Sequence, residues 1–102
     1  MIANFLVQDA ITYGYKEAAI LQKLRELSEV NKNNEYFIKE NKVWVRISVK
    51  DLFMHHLFYL TEKQVRFSLE KLVKSGAVIK ANFNSDPTDT TSWYSVKEIN
   101  QP

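Results

Sequence analysis

The residues of this chain best equipped for chemistry lie between Thr61 and Ser75. With Val65 at the origin of a helical wheel, Val65, Ser68, Leu69, Leu72 and Val73 gather on one side and form an apolar stripe. Lys63, Phe67, Glu70 and Lys74 fall opposite, with Gln64, Arg66 and Lys71 at the flanks. That outer face offers four cations and a glutamine. Arg66 has the fork that matches guanine, and Gln64 the donor–acceptor pair that matches adenine. Lys63 sits beside them, while Lys71 and Lys74 suit phosphate oxygens. The plain alternative is a solvated face that carries lysines because surfaces do. Two residues do not fit a phosphate track. Glu70 repels phosphate, and Phe67 is a large apolar group aimed outward. Phe67 would pack on a thymine methyl, anchor a partner protein, or, if the stripe is rotated, tuck under an earlier helix.

Other chemistries find less support. His55 and His56 are adjacent, so on a helix they diverge by about 100° and do not share a metal as an i,i+4 pair does. There is no cysteine, so thiolate ligands and disulfides are excluded. The sequence has no glycine-rich phosphate loop and no nucleophile elbow. Asp86 and Asp89 flank Pro87 in a polar stretch that reads as turn chemistry. The expectation is a protein that is not an enzyme, with no cofactor and no metal.

These side chains need elements to position them. Thr61 and Gln64 are spaced as a capping box, and Gly76 supplies a left-handed stop, which bounds a helix over 61–75. Upstream, Ser48 with Asp51 marks the start of a short helix over 48–58, which partly buries Leu52, Phe53, His56 and Leu57. Residues 15–30 carry Ala18, Ile20, Leu21, Leu24, Leu27 and Val30 on one helical face, and the Asn-Lys-Asn-Asn run after them stops it. Tyr36–Ile38 and Val43–Ile47 flank a polar turn and suggest a small hairpin. Ala77–Phe83 and Thr91–Val96 alternate around the polar loop 84–89 as a second hairpin over 77–96. Along that return strand Trp93 and Tyr94 should face opposite ways, one core and one exposed, with Trp93 beside Trp44. Residues 1–14 read as an extended lead-in or short helix ended by Gly14, and 97–102 as a frayed tail.

At 102 residues the chain is one domain. Apolar content of 45% with 13% aromatics argues against disorder. No apolar run approaches the roughly 18 residues of a membrane span, and the first residues lack a basic leader region. The net charge of +2 does not by itself call for nucleic acid.

Helix, glycine stop and hairpin in this order are the second half of a winged helix-turn-helix. The run from Trp44 to Tyr94 resembles the N-terminal winged-helix modules of phage, prophage and plasmid replication-initiation proteins. Trp44, Ser48, Arg66, Leu69, Leu72, Gly76, Asp89, Thr91, Trp93 and Tyr94 carry the likeness, and Ala18, Ile20 and Leu21 match the first helix of such modules. The departures lie at charges: Phe67 stands where a second basic residue is common, and Thr90 and Ser92 replace cations of the wing. The resemblance implies an α+β, mainly α fold with an added N-terminal helix or lead-in and a C-terminal β-hairpin wing. It also implies binding of double-stranded DNA. The helix over 61–75 would enter the major groove, with Lys63, Gln64, Arg66 and Phe67 at the bases. Lys71 and Lys74, with Asn84, Ser85 and Thr88 of the wing, would lie on the backbone. The chain ends just past the wing, which fits a small regulator or replication accessory factor better than a whole initiator. Further expectations are a homodimer formed through residues 2–11 and the first helix, no membrane partner, and a cytoplasmic location, at the nucleoid or in the host of a virus. The alternative is a protein-interaction module, an inhibitor or assembly adaptor, anchored by Phe67.

Overall fold

The computed structural model describes residues 10, 11 and 13–97 and shows an α+β arrangement of helices with two antiparallel sheets. Ala10, Ile11 and Tyr13 are helical, and Gly14 breaks the helix at φ 104° before α1, Tyr15–Asn31. The lead-in expected over 1–14 otherwise lies outside the described residues, as do 98–102 of the tail. A 3₁₀ turn, Glu35–Phe37, leads into β1, Ile38–Lys39, and β2, Lys42–Val43. These two pair across Glu40 and Asn41, both at positive φ, the geometry of a tight hairpin turn.

Val43–Ile47 does not continue as one strand. Its chain breaks at Trp44, whose N–H donates to the Phe37 carbonyl at 2.8 Å and whose carbonyl accepts from the Asn31 side chain at 3.0 Å. With both backbone groups satisfied elsewhere, Trp44 leaves the ladder, and β3, Val45–Arg46, joins another sheet. Two helices follow: α2, Val49–His56, capped by the Ser48 hydroxyl on the Asp51 N–H, and α3, Glu62–Ser75. Next come β4, Val78–Ala81, and β5, Trp93–Val96. The sheet order is β3-β5-β4, with β5 central.

The core lies between α1, α3 and this sheet. Ile20, Leu21, Leu24, Leu52, Val65, Leu69, Leu72, Val78, Tyr94 and Val96 are buried together. Opposite-facing Trp93 is also fully buried, which corrects the expectation of one exposed partner in the Trp93–Tyr94 pair. The reason is a second aromatic cluster on the far side of the sheet. Tyr36 and Phe37 stack against Trp93, and Phe83 touches both Trp93 and Trp44. The Ser95 hydroxyl ties that cover down by donating to the Val43 carbonyl at 2.8 Å.

Most of the apolar residues of the first helix face the core of the molecule itself. Ala18, Ala19, Ile20, Leu21 and Leu24 are consumed by that core, while Ile11, Tyr15 and Val30 stay exposed, Val30 against its expected place on the buried face. Residues 2–9 of the expected dimer surface are not described. No helix among the described residues is long and apolar enough to cross a membrane.

Candidate nucleic-acid interface

Both ends of α3 are fixed by local chemistry. At its start the Thr61 hydroxyl accepts from the Gln64 N–H at 3.0 Å, and Gln64 Oε1 accepts from the Thr61 N–H at 2.9 Å. At its end Gly76 takes φ 87°, and its N–H returns to the Val73 carbonyl. Val65, Ser68, Leu69 and Leu72 are buried, so the opposite stripe of Lys63, Phe67, Glu70 and Lys74 faces out, as the wheel places it. Phe67 is 63% exposed, which settles its orientation: it is not a core residue.

The outer face of α3 lies between two hollows. The larger, of about 640 Å³, runs between α3, the start of α2 and the β4–β5 hairpin. Arg66, Glu70, Lys74 and Lys80 line it, with the Thr90–Ser92 segment on the hairpin side and Val49, Leu69, Val73 and Tyr94 beneath. The smaller, of about 460 Å³, separates α3 from the start of α1 and is lined by Lys63, Gln64 and Lys16. Phe67 and Lys71 line both hollows and form the ridge between them.

The charges on this face are not free to the same degree. Arg66 leans back one turn and donates to Glu62 at 3.0 Å. Such an exposed i,i+4 pair is worth roughly 0.3–0.5 kcal/mol, too little to prevent Arg66 from turning to a stronger acceptor. Lys71 lies 3.8 Å from the buried Glu17 carboxylate of α1. The Gln64 oxygen is held in place by the capping box, which fixes the direction in which its amide points. Tyr94 sits under the groove, and its hydroxyl pKa is raised by burial, with the Glu70 charge adding to that rise.

The β4–β5 loop departs from the expectation of backbone contacts at Asn84 and Thr88. Asn84 is the organising centre of the loop itself. Its Oδ1 accepts from Arg46 Nε at 2.9 Å and from Trp93 Nε1 at 2.8 Å, and its amide donates to the carbonyls of Asp89 and Thr91 at 3.0 and 2.7 Å. Nothing of that side chain is left for a ligand. Thr88 donates its N–H and hydroxyl to Asp86, and these bonds hold the Asp86 carboxyl below its ordinary range. Asp89 is lowered likewise by Thr91 and then by Arg46, with which it is paired. The loop tip is therefore acidic and carries no Lys or Arg over 82–92. Of the three expected loop contacts only exposed Ser85 keeps an unobstructed position.

Lys80 was not among the expected contacts. Its signal was the alternation of β4: Val78 and Lys80 share a face, and pairing opposite Tyr94 puts Lys80 on the helix side of the sheet. Among the described residues no group of His, Asp and Glu is arranged to hold a metal. Compared with protein-family models, curated proteins and solved structures, the chain has no match.

Proposed function

We propose that this chain is a non-enzymatic, intracellular DNA-binding protein that uses a winged-helix arrangement to grip duplex DNA. α3 is the recognition helix and the β4–β5 hairpin the wing. The supporting observation is the groove in which Arg66, Lys71 and Lys74 of α3 converge with Lys80 of the hairpin. A 14-residue helix is about 21 Å long and 10–12 Å across with side chains, a size the major groove of about 12 Å admits. Arg66 and Lys63 then reach base edges and Phe67 a thymine methyl, while Lys74 and Lys80 take phosphates. The acidic loop tip stays off the backbone. With the likeness to replication-initiator modules, this makes the protein a small regulator or replication accessory factor of a phage- or plasmid-like element.

A second reading is favoured by one observation, the exposure of Phe67 on the ridge between two hollows. An aromatic anchor ringed by mixed charge suits a protein interface, as an inhibitor or adaptor would need. Fluorescence-anisotropy binding to a random 25–30-bp duplex library across a salt series separates the two. The expected result is a linear fall of log affinity with log salt. No retention at low salt would transfer the weight to the protein-interface reading, for which Phe67→Ala abolishes capture of the partner.

A further inference from the structure

Glu70 is the one acidic side chain on the central outer stripe of α3, between Phe67 and Lys74. It has a cation one turn before it, Arg66, and another one turn after it, Lys74, the i,i+4 spacing at which side chains meet. Yet among the described residues it makes no ion pair. Arg66 turns the other way to Glu62, and Lys71 turns to Glu17. Glu70 is exposed, so its carboxylate oxygens face outward as open acceptors in the middle of the face that the DNA reading assigns to the duplex.

Covering a carboxylate with DNA strips its water, which is costly unless hydrogen-bond donors replace it. A carboxylate accepts and does not donate. Phosphates and the sugars of DNA supply no donor. On the major-groove edge the donors are the exocyclic amines of cytosine and adenine. Beside the adenine amine lies N7, an acceptor that repels a carboxylate oxygen; on cytosine the corresponding flank is the C5–H. From this we infer that Glu70 is a specificity-determining residue that accepts from the N4 amine of a cytosine, and so imposes a C·G pair at one position of the target. The inference rests on the DNA-binding reading above. It also gives a charge that weakens non-specific phosphate binding a role in selecting a sequence.

The test is selection of binding sites from a randomised duplex library by the full chain and by Glu70→Gln and Glu70→Ala. Glu70 is exposed, so neither substitution disturbs the core. The wild-type protein should select a C·G pair at one position, preferred about ten-fold or more over other pairs. Glu70→Gln should move that position alone to A·T, because a glutamine amide matches adenine. Glu70→Ala should lose preference there while binding random duplex more tightly. Identical selected sites for wild type and Glu70→Gln overturn the assignment and leave the DNA reading standing. A wild-type protein that retains no duplex at low salt overturns both.

Discussion

At the scale of single residues, two polar side chains, half-buried Asn84 and buried Ser28, have opposite consequences. Asn84 satisfies four bonds, two of them to donors on Arg46 and Trp93 and two to loop carbonyls. Asn84→Ala strands the buried indole N–H of Trp93 and frees the loop, at a cost of about 2–3 kcal/mol. Thermal denaturation should show that loss, and hydrogen exchange should quicken over 82–92. Ser28 is its inverse: a fully buried hydroxyl on α1 with no partner among the described residues. Ser28→Ala removes an unmet polar group and raises helix propensity, so it should stabilise by about 1 kcal/mol; a destabilised variant would show that the hydroxyl is bonded. His56 is pushed below the ordinary imidazole value of 6.5 by burial, with Lys23 and His55 acting in the same direction and Glu26 against them. The unfolded chain then binds the proton more readily than the fold, so this contribution is fully present above pH 6.5 and is lost as pH falls below it. The Tm should drop between pH 7 and 5.5 in the wild type and drop less in His56→Gln. Equal drops would place the acid sensitivity elsewhere.

At the scale of elements, the sequence was most legible where a local rule sufficed. The Ser48 and Thr61 caps, the Gly76 stop and the buried stripe of α3 all form where spacing places them, because each depends on neighbours within a turn. Two elements were misread, and both depend on distant partners. Trp44 leaves its strand because Phe37 and Asn31 claim its backbone, and Trp93 is buried because Tyr36 and Phe37 of the 3₁₀ turn and Phe83 cover the second face of the sheet. Asn84 was misread as a contact for the same reason, since its partners are as distant as Arg46. Its type suits a loop tip; its surroundings make it a brace. The two glycines separate a tolerant position from an intolerant one. Gly76 is left-handed with open space where a Cβ would point, so Gly76→Asn should cost little and Gly76→Ala roughly 1–2 kcal/mol. Gly14, at φ 104° and ψ 158°, holds a conformation almost confined to glycine. A Cβ there would also run into the buried Glu17 carboxylate. Gly14→Ala should be the more damaging of the two in urea denaturation, and the reverse order would mean that the chain before α1 relaxes freely.

At the scale of the whole molecule, charge placement matters more than charge excess. Fourteen Lys and Arg against twelve Asp and Glu leave only two net positive charges, too few to hold a duplex by overall attraction. On the proposed DNA-binding reading, the concentration of Arg66, Lys71, Lys74 and Lys80 around one groove would compensate, while Asp86 and Asp89 crowd the loop tip. On that reading a duplex held by the groove would touch few phosphates. If all four cations displace counterions, log affinity should fall with log salt at a slope of about −3 to −4. Lys71 is the cation most drawn inward, toward Glu17, so a slope at the shallow end is expected. Lys74→Ala combined with Lys80→Ala should flatten the slope by about two and weaken binding to every sequence alike. That pair is the informative choice because Lys74 belongs to the helix and Lys80 to the sheet. If helix and hairpin grip one backbone together, their losses appear in the same salt dependence. If, among the single variants, Lys74→Ala changes the slope and Lys80→Ala does not, DNA would be confined to α3 and the hairpin left as a brace.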